Sequence, residues 1–188
     1  MDFDTTRNKD GYEKILSAFA NQEADILVGT QMIVKGHDFP NVTLVGVLAA
    51  DLSLSVGDYR AGERTFQLLT QAAGRAGRGS EPGEVVIQTY QPEHYAIIHA
   101  ACQDYEGFYQ EEILYRELMG YPPVAHMLAV QIYAASEEEG DRLSRQLARQ
   151  AKGYVDQAQP LARQMLIVGP APAGIGRVND IYRFVFYV

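Results

Sequence analysis

The chain has 188 residues, and its 16 basic and 24 acidic side chains give a formal net charge of −8 at neutral pH. This length corresponds to one large domain or two small ones, and 47% apolar residues can form a core without disulfides or metal ions. The single cysteine, Cys102, excludes an internal disulfide framework, and the four scattered histidines argue against a structural zinc site. The acidic balance argues against coating of nucleic acid by bulk charge, but it leaves room for a local basic groove.

The sequence shows no membrane-targeting signal. The N-terminal stretch MDFDTTRNKD lacks the basic-then-apolar order of a signal peptide, and no run of 18 or more uncharged apolar residues occurs. A single cysteine fits the reducing conditions of the cytoplasm. We therefore expect a cytoplasmic chain that neither spans nor enters a membrane.

The first half of the chain alternates between helical and strand patterns. Four apolar residues have the spacing of one helix face, Tyr12, Ile15, Leu16 and Phe19. A helix is predicted over residues 60–73, where it ends in the glycine-rich sequence GRAGRG. Short apolar runs predict strands at residues 25–29, 42–48 and 84–90. This order predicts an α/β fold, a parallel sheet with flanking helices.

The pattern changes after Pro92. Helices are predicted over residues 93–102 and 105–119, and the sequence Gly-Tyr-Pro-Pro at 120–123 then marks an expected domain boundary. Beyond it the sequence predicts a strand at 127–134, a helix at 137–157, a strand at 164–168, a GPAPAG loop and a strand at 181–188. The order β-α-β-β predicts a small α+β domain of the split βαβ type. Because the chain ends inside an apolar strand, we expect this domain to be truncated.

Common catalytic motifs are absent from the sequence. There is no Gly-Lys dipeptide and hence no P-loop, and the dinucleotide-binding, zinc-protease and serine-hydrolase motifs are also missing. Asp51 follows an apolar run and could hold magnesium, but no acidic partner follows it, so we give this interpretation little weight. A complete nucleotide hydrolase is therefore not encoded.

Two arginines, Arg75 and Arg78, lie among small residues at the end of the predicted helix, in the segment QAAGRAGR at 71–78. Guanidinium groups three residues apart project from the same side of a turn, and the glycines let a ligand approach the backbone. The pair suits a polyphosphate, because each planar group can bond two oxygens and keeps its charge. From spacing alone, a helix C-terminus that attracts cations is an equally good interpretation.

A polar loop, GTQMIVKGHDF at residues 29–39, follows the first predicted strand, at the strand end where open α/β sheets bind ligands. Thr30 and Gln31 can donate to phosphate oxygens, Lys35 can add a positive charge, and Asp38 can accept from sugar hydroxyls. The alternative is an ordinary loop whose Asp38 caps a helix or a turn.

The two segments together resemble motifs five and six of superfamily-two helicases, carried here by Thr30, Lys35, Gly36 and Asp38 and by Gln71, Gly74, Arg75, Gly77 and Arg78. The flanking sequence is similar to that of the primosomal replication-restart helicases, the PriA family, over essentially the whole chain. The similarity runs through ADILVGTQMIVKGHDFPNVTLVGVLAAD, YRAGERTFQLLTQAAGRAGRGSEPGEVVIQTYQP, GYPP and GPAPAGIGR.

The resemblance implies a RecA-like second helicase lobe at residues 1–104, a helical and proline-rich connector at 105–125 and an incomplete C-terminal α+β domain at 126–188. In such helicases ATP with Mg²⁺ lies between two lobes, and the first lobe carries the P-loop. Three residues would act in catalysis by resemblance: Arg75 and Arg78 as arginine finger and γ-phosphate sensor, and Gln71 as a water-positioning or lobe-coupling residue. The nucleotide side of the cleft would be lined by Gly36, Asp38 and Gly74 together with both arginines. Single-stranded DNA would be gripped by Thr30, Gln31 and Lys35.

The implied function is an ATP-dependent 3′ to 5′ DNA helicase that recognises stalled or branched forks and initiates primosome assembly. Its expected partners are single-stranded and forked DNA, other primosome proteins and the single-stranded-DNA-binding protein, and its expected location is the nucleoid. The chain alone is expected to be inactive because it lacks the P-loop lobe, and to bind no zinc because it lacks the family's cysteine-rich insertion. The alternative is a non-catalytic module that docks DNA or protein without contacting ATP.

Overall fold

The computed structural model describes residues 9–30, 39–79, 81–158 and 165–188, and it divides the chain into two compact units, Met1–Leu114 and Tyr115–Val188. A 3₁₀ turn covers Ala50–Ser53. Within the described residues, no helix has the length and apolar character that crossing a membrane requires. In chain order, the helices and strands are α1 (Lys9–Ala20), β1 (Leu44–Val47), α2 (Ala61–Ala73), β2 (Glu84–Ile87), α3 (Tyr95–Ala101), α4 (Tyr105–Met119), β3 (Ala129–Ala134), α5 (Glu137–Gln157), β4 (Val168–Val178) and β5 (Ile181–Tyr187).

The first unit has the predicted α/β layering. β1 and β2 pair in parallel, with Leu44 opposite Glu84 and Val47 opposite Ile87, and α2 connects them along the chain. Parallel strands need such a crossover because the end of one strand and the start of the next lie at opposite ends of the strands. The expected α/β fold class is therefore confirmed.

The core of the first unit is formed between α2, α3 and α4. The ring of Phe66 on α2 stacks on Phe108 of α4 at a centroid distance of 4.3 Å, and both side chains are buried. Burial of one such side chain contributes about 1.5–3 kcal/mol. The remaining buried members of this cluster are Ala50, Leu69, Ala96, Ile97 and Ala100. Packing against α3 and α4, the two helices that follow it, therefore holds α2 in place.

The predicted strand at residues 25–29 is wrong. Residues 26–29 carry no strand pairing, and Ile26 and Val28 are 79% and 72% exposed. An apolar, β-branched run indicates a tendency to be buried, but a strand also needs a neighbouring backbone with which to exchange hydrogen bonds. The two sheets of the described structure, β1-β2 and β3-β5-β4, do not include this segment.

The second unit has the predicted split βαβ arrangement. β5 lies between β3 and β4 and is antiparallel to both, so β3 and β4 run parallel to each other, joined along the chain by α5. Ile132 lies opposite Phe184, and Val130 lies opposite Phe186. The buried residues of this core are Ile132, Ala148, Phe184 and Phe186.

The strand predicted at residues 164–168 and the loop predicted at GPAPAG are corrected by the structure. Gln164 lies outside the described residues, and a single strand, β4, runs from Val168 through the GPAPAG sequence to Val178. β4 is an edge strand, so it pairs with a neighbouring strand on one side only. Pro170 and Pro172, which have no N–H, are tolerated in such a strand. Two register shifts against β5 absorb the irregular sequence.

The two glycines of α5 test how closely this helix approaches the sheet. A side-chain carbon at Gly140 would lie 2.5 Å from Cε2 of Phe184, whereas one at Gly153 would meet nothing within 4 Å. We expect Gly140→Ala to destabilise the protein by about 1–3 kcal/mol through overpacking. The matched Gly153→Ala should stabilise it by about 0.5–1 kcal/mol through helix propensity. Urea unfolding followed by circular dichroism measures both, and equal effects of the two changes would contradict the close packing.

Candidate functional site

α2 carries the two candidate arginines just beyond its carboxyl end. Its buried face consists of Gly62, Thr65, Phe66, Leu69 and Ala72, a spacing of three and four that keeps one side of the helix in the core. Thr65 is fully buried, and its hydroxyl lies 2.7 Å from the Ser53 hydroxyl of the 3₁₀ turn. The helix is therefore held by both packing and a partly buried hydrogen bond.

The helix ends where the glycine-rich sequence begins. The amide of Gly74 donates to the carbonyl of Thr70 at 3.0 Å, and the amide of Arg75 donates to Ala72 at 3.0 Å. The second bond spans three residues instead of four, which tightens the last turn and satisfies a carbonyl at the helix end. Arg75 is thus fixed to α2 through its own backbone.

Gly77 and Gly83 cross with their backbones in contact. Gly77 has a φ of +72°, and a side-chain carbon there would lie 2.6 Å from the nitrogen of Gly83. A side-chain carbon at Gly79 would collide with the carbonyl oxygen of Pro40. We expected glycines here to let a ligand approach the backbone. At Gly77 and Gly79 the approach is instead made by the chain itself, and this role was missed because no local pattern marks it.

The turn of residues 74–79, which we call the arginine turn, adjoins the start of β1. The amide of Gly77 donates to the carbonyl of Val42 at 3.0 Å, and the amide of Glu84 donates to Thr43 at 2.8 Å. These bonds place the arginine turn at the edge where β1 and β2 begin. They also place it beside residues 40–42, which follow directly after the polar loop.

Arg78 is exposed, and its Nε–H donates to the carbonyl of Gly74 at 2.7 Å. This bond places a cation at the carboxyl end of α2, as the helix-end interpretation expects. A guanidinium has five N–H groups, so this bond engages one of them. Arg75 is half-buried. The helix-end and phosphate-binding interpretations of Arg78 are therefore compatible.

The other predicted site residues divide into two groups. Gln71 is exposed in the last turn of α2, and Thr30 is exposed at the end of its described segment. Four predicted site residues of the polar loop lie outside the described residues, namely Gln31, Lys35, Gly36 and Asp38. The described part of the site thus consists of the arginine turn and the residues that follow the polar loop.

Asp51 joins the carboxyl ends of β1 and β2. Its carboxylate accepts hydrogen bonds of 2.8 Å from the hydroxyl of Thr89 and from the amide of Tyr90. The Tyr90 amide, with the Thr89 hydroxyl, holds the pKa of Asp51 below its ordinary value. Among the described residues, no group of three or more acidic, histidine or cysteine side chains could hold a metal ion. Asp51 therefore has a structural role that sequence analysis missed.

Residues 2–80 match the helicase conserved C-terminal domain. The replication restart protein PriA of Bacillus subtilis (strain 168) is 46% identical over 184 residues, which cover 98% of this chain and 22% of that protein. The PriA proteins of Synechocystis sp. and Chlamydia muridarum are 43% and 39% identical over 188 residues, all of this chain, and 22% and 24% of those proteins. The chain thus spans less than a quarter of the length of these relatives.

The matched domain and the α/β fold define the class of protein: the chain carries the C-terminal helicase domain of a superfamily-two helicase. It belongs to the replication-restart family, PriA, to which it is similar over nearly all of its residues. The resemblance derived from motifs five and six is confirmed.

The glycine crossing predicts different effects at two glycines of the same turn. We expect Gly77→Ala to destabilise the protein by about 1–3 kcal/mol, because a side chain at positive φ is strained and would meet Gly83. Gly74→Ala should change stability by less than about 0.5 kcal/mol, since Gly74 has a φ of −67° and its nearest contact would be 3.5 Å. Thermal unfolding of both variants checks this. A tolerated Gly77→Ala would refute the crossing.

Proposed function

We propose that this chain supplies the arginine-bearing side of the ATPase centre of a replication-restart DNA helicase. Residues 1–104 act as the second RecA-like lobe, 105–125 as a connector and 126–188 as a C-terminal α+β domain. ATP with Mg²⁺ binds mainly to a first lobe that carries the P-loop, and this lobe closes over it. The observation that carries the proposal is the arginine turn, two guanidinium groups held at the end of a packed helix in a sequence without a P-loop.

Arg75 and Arg78 stabilise the negative charge that develops on the transferred phosphoryl group. Such a group must be fixed before the reaction, because electrostatic stabilisation is strongest when the donors need not reorganise. Three bonds support a fixed turn: Arg75 amide to Ala72, Gly77 amide to Val42 and Arg78 Nε to Gly74. Gln71, exposed one turn before Arg75, positions the attacking water or couples the lobes.

The polar loop grips DNA and completes the nucleotide side of the cleft. Thr30, Gln31 and Lys35 contact the backbone of single-stranded DNA, while Gly36 and Asp38 line the cleft next to Gly74. Support comes from the motif spacing and from the hydrogen bond that joins Gly77 of the arginine turn to Val42, just after this loop. Closing and opening of the cleft then moves the strand, in the 3′ to 5′ direction.

The parent enzyme acts at stalled or branched replication forks in the cytoplasm. It binds single-stranded and forked DNA, meets other primosome proteins and the single-stranded-DNA-binding protein, and initiates primosome assembly. Support for this role is the similarity to proteins named replication restart protein PriA over 98% or more of this chain.

The role of the arginines is tested by ATP hydrolysis. We expect the 188-residue chain alone to show no turnover, and the full-length helicase to show DNA-stimulated turnover. In the full-length protein, Arg75→Ala and Arg78→Ala should each lower kcat by about 10³-fold or more, the range known for arginine fingers. Steady-state hydrolysis at saturating single-stranded DNA measures this.

Two further variants separate catalysis from helix capping. Arg78→Lys keeps a cation at the end of α2 but loses the planar fork, so it should preserve thermal stability while kcat stays low. Arg149→Ala, at an exposed arginine of α5, is the control and should hydrolyse ATP normally. Normal turnover by both Arg75→Ala and Arg78→Ala would defeat the proposal in favour of a docking module that does not contact ATP.

The DNA grip is tested by the salt dependence of binding. If Lys35 neutralises one phosphate, Lys35→Gln should lower the slope of log K against log salt by about 0.7, the value for one contact to a single strand. Lys14→Gln, at an exposed position of α1, is the matched control and should leave the slope unchanged. Fluorescence anisotropy with labelled single-stranded DNA gives both slopes, and identical slopes for all three proteins would remove Lys35 from the site.

A further inference from the structure

α3 and α4 are tied together at two places along their length. Near the start of α3, the hydroxyl of Tyr95 donates to Oε2 of Glu112 at 2.6 Å. Near its end, the His99 ring lies between two carboxylates, with Nδ1 3.1 Å from Oδ2 of Asp104 and Nε2 2.9 Å from Oε1 of Glu111. One tie is made by a phenol and the other by an imidazole.

The geometry at His99 identifies its charge state. A neutral imidazole carries one N–H, whereas an ionised carboxylate can only accept. With carboxylates at hydrogen-bond distance on both ring nitrogens, the two bonds can form together only when both nitrogens carry protons. The bridged arrangement of Asp104, His99 and Glu111 is therefore that of the imidazolium cation.

The bridge of Asp104, His99 and Glu111 is also in contact with the backbone of α4. Oδ1 of Asp104 accepts from the amide of Gly107 at 2.9 Å and so caps the first turn of α4. A side-chain carbon at Gly107 would lie 2.6 Å from Nδ1 of His99, so the ring packs directly on this turn. The His99 side chain is 16% exposed. The ring is thus held in place while its proton can still exchange with solvent.

We propose that His99, Asp104 and Glu111 form a proton-dependent clamp between α3 and α4, which is closed when the imidazole is protonated and loosened when it is not. The Tyr95–Glu112 bond is not affected by the same proton. The hairpin therefore has one end whose tie depends on the His99 proton and one end whose tie is made without it.

The sign of the pH effect follows from the neighbours of the ring. Among the described residues, the charged groups that act on His99 are Glu111 of α4 and Asp104 of the α3–α4 link, and burial opposes them. The hydrogen bond to Glu111, with that to Asp104, raises the pKa of His99 above the ordinary value of about 6.5. Burial lowers the pKa of His94, the residue that caps the start of α3, and the charges of Glu112 and Glu111 oppose this effect. His99 thus contributes stability below its unfolded pKa that is lost as pH rises through its folded pKa.

The clamp is tested in the 188-residue chain between pH 5.5 and 8.5. NMR titration of the imidazole carbons should place the His99 pKa above 6.5, and each unit of difference from the unfolded chain corresponds to a tenfold change in the folding constant across this range. Amide exchange in α3 should quicken as pH rises, beyond the intrinsic effect of pH on exchange. His99→Gln should remove that component, and Glu111→Gln should lower the His99 pKa.

Tyr95→Phe is the matched control, since it breaks the other tie and keeps the ring. It should lower stability and leave the pH dependence that comes from His99 intact. The NMR titration needs no variant, so it tests the protonation of His99 even if His99→Gln fails to fold. A His99 pKa at or below 6.5, or an unchanged pH dependence in a folded His99→Gln protein, would overturn the clamp.

Discussion

The contact between the backbones of Gly77 and Gly83 is the constraint on which the candidate site depends. Because neither residue has a side chain, the arginine turn lies directly on the chain that enters β2, and the Gly77 amide is bonded to Val42 at the entry to β1. The turn therefore cannot shift without moving the starts of both strands. Since β1 and β2 are in turn fixed by their parallel register, the position of the arginines is set by the sheet.

The bond that Arg78 makes at the helix end is compatible with the catalytic role proposed for this side chain. Its Nε–H closes the end of α2 through the carbonyl of Gly74. A side chain already fixed by one bond loses less conformational entropy when it meets a phosphate than a mobile one does. In the proposed function, the bond at the helix end would therefore also prepare the guanidinium for charge stabilisation. The two interpretations that spacing alone could not separate are therefore compatible in one arrangement.

Sequence patterns predicted what depends on neighbours in the chain. α4 and α5 have the predicted bounds, because local signals mark them, such as the Ser136 hydroxyl that accepts from the Glu139 amide at the start of α5. The segment 25–29 and the GPAPAG sequence were misjudged, because strand formation depends on a partner far along the chain. The motif likewise predicts Arg75 and Arg78 as site residues, and their catalytic role is the proposal made above. The contact of Gly79 with Pro40 joins residues about forty positions apart, and no local rule predicts it.

The α3–α4 hairpin supports the helix that carries the arginine turn. Phe108 stacks on Phe66, and the Tyr95–Glu112 pair lies against Gly62, where a side-chain carbon would be 2.7 Å from the Tyr95 hydroxyl. A 13-residue helix, about 20 Å long, then connects this support to the arginines. The tie that bears directly on α2 is thus the one made without His99, and the tie that His99 makes lies at the link of the hairpin. Proton loss at His99 should therefore open the hairpin locally. The packing that supports α2 then stays in place. This matters because a displacement of about 1 Å can impair a catalytic site.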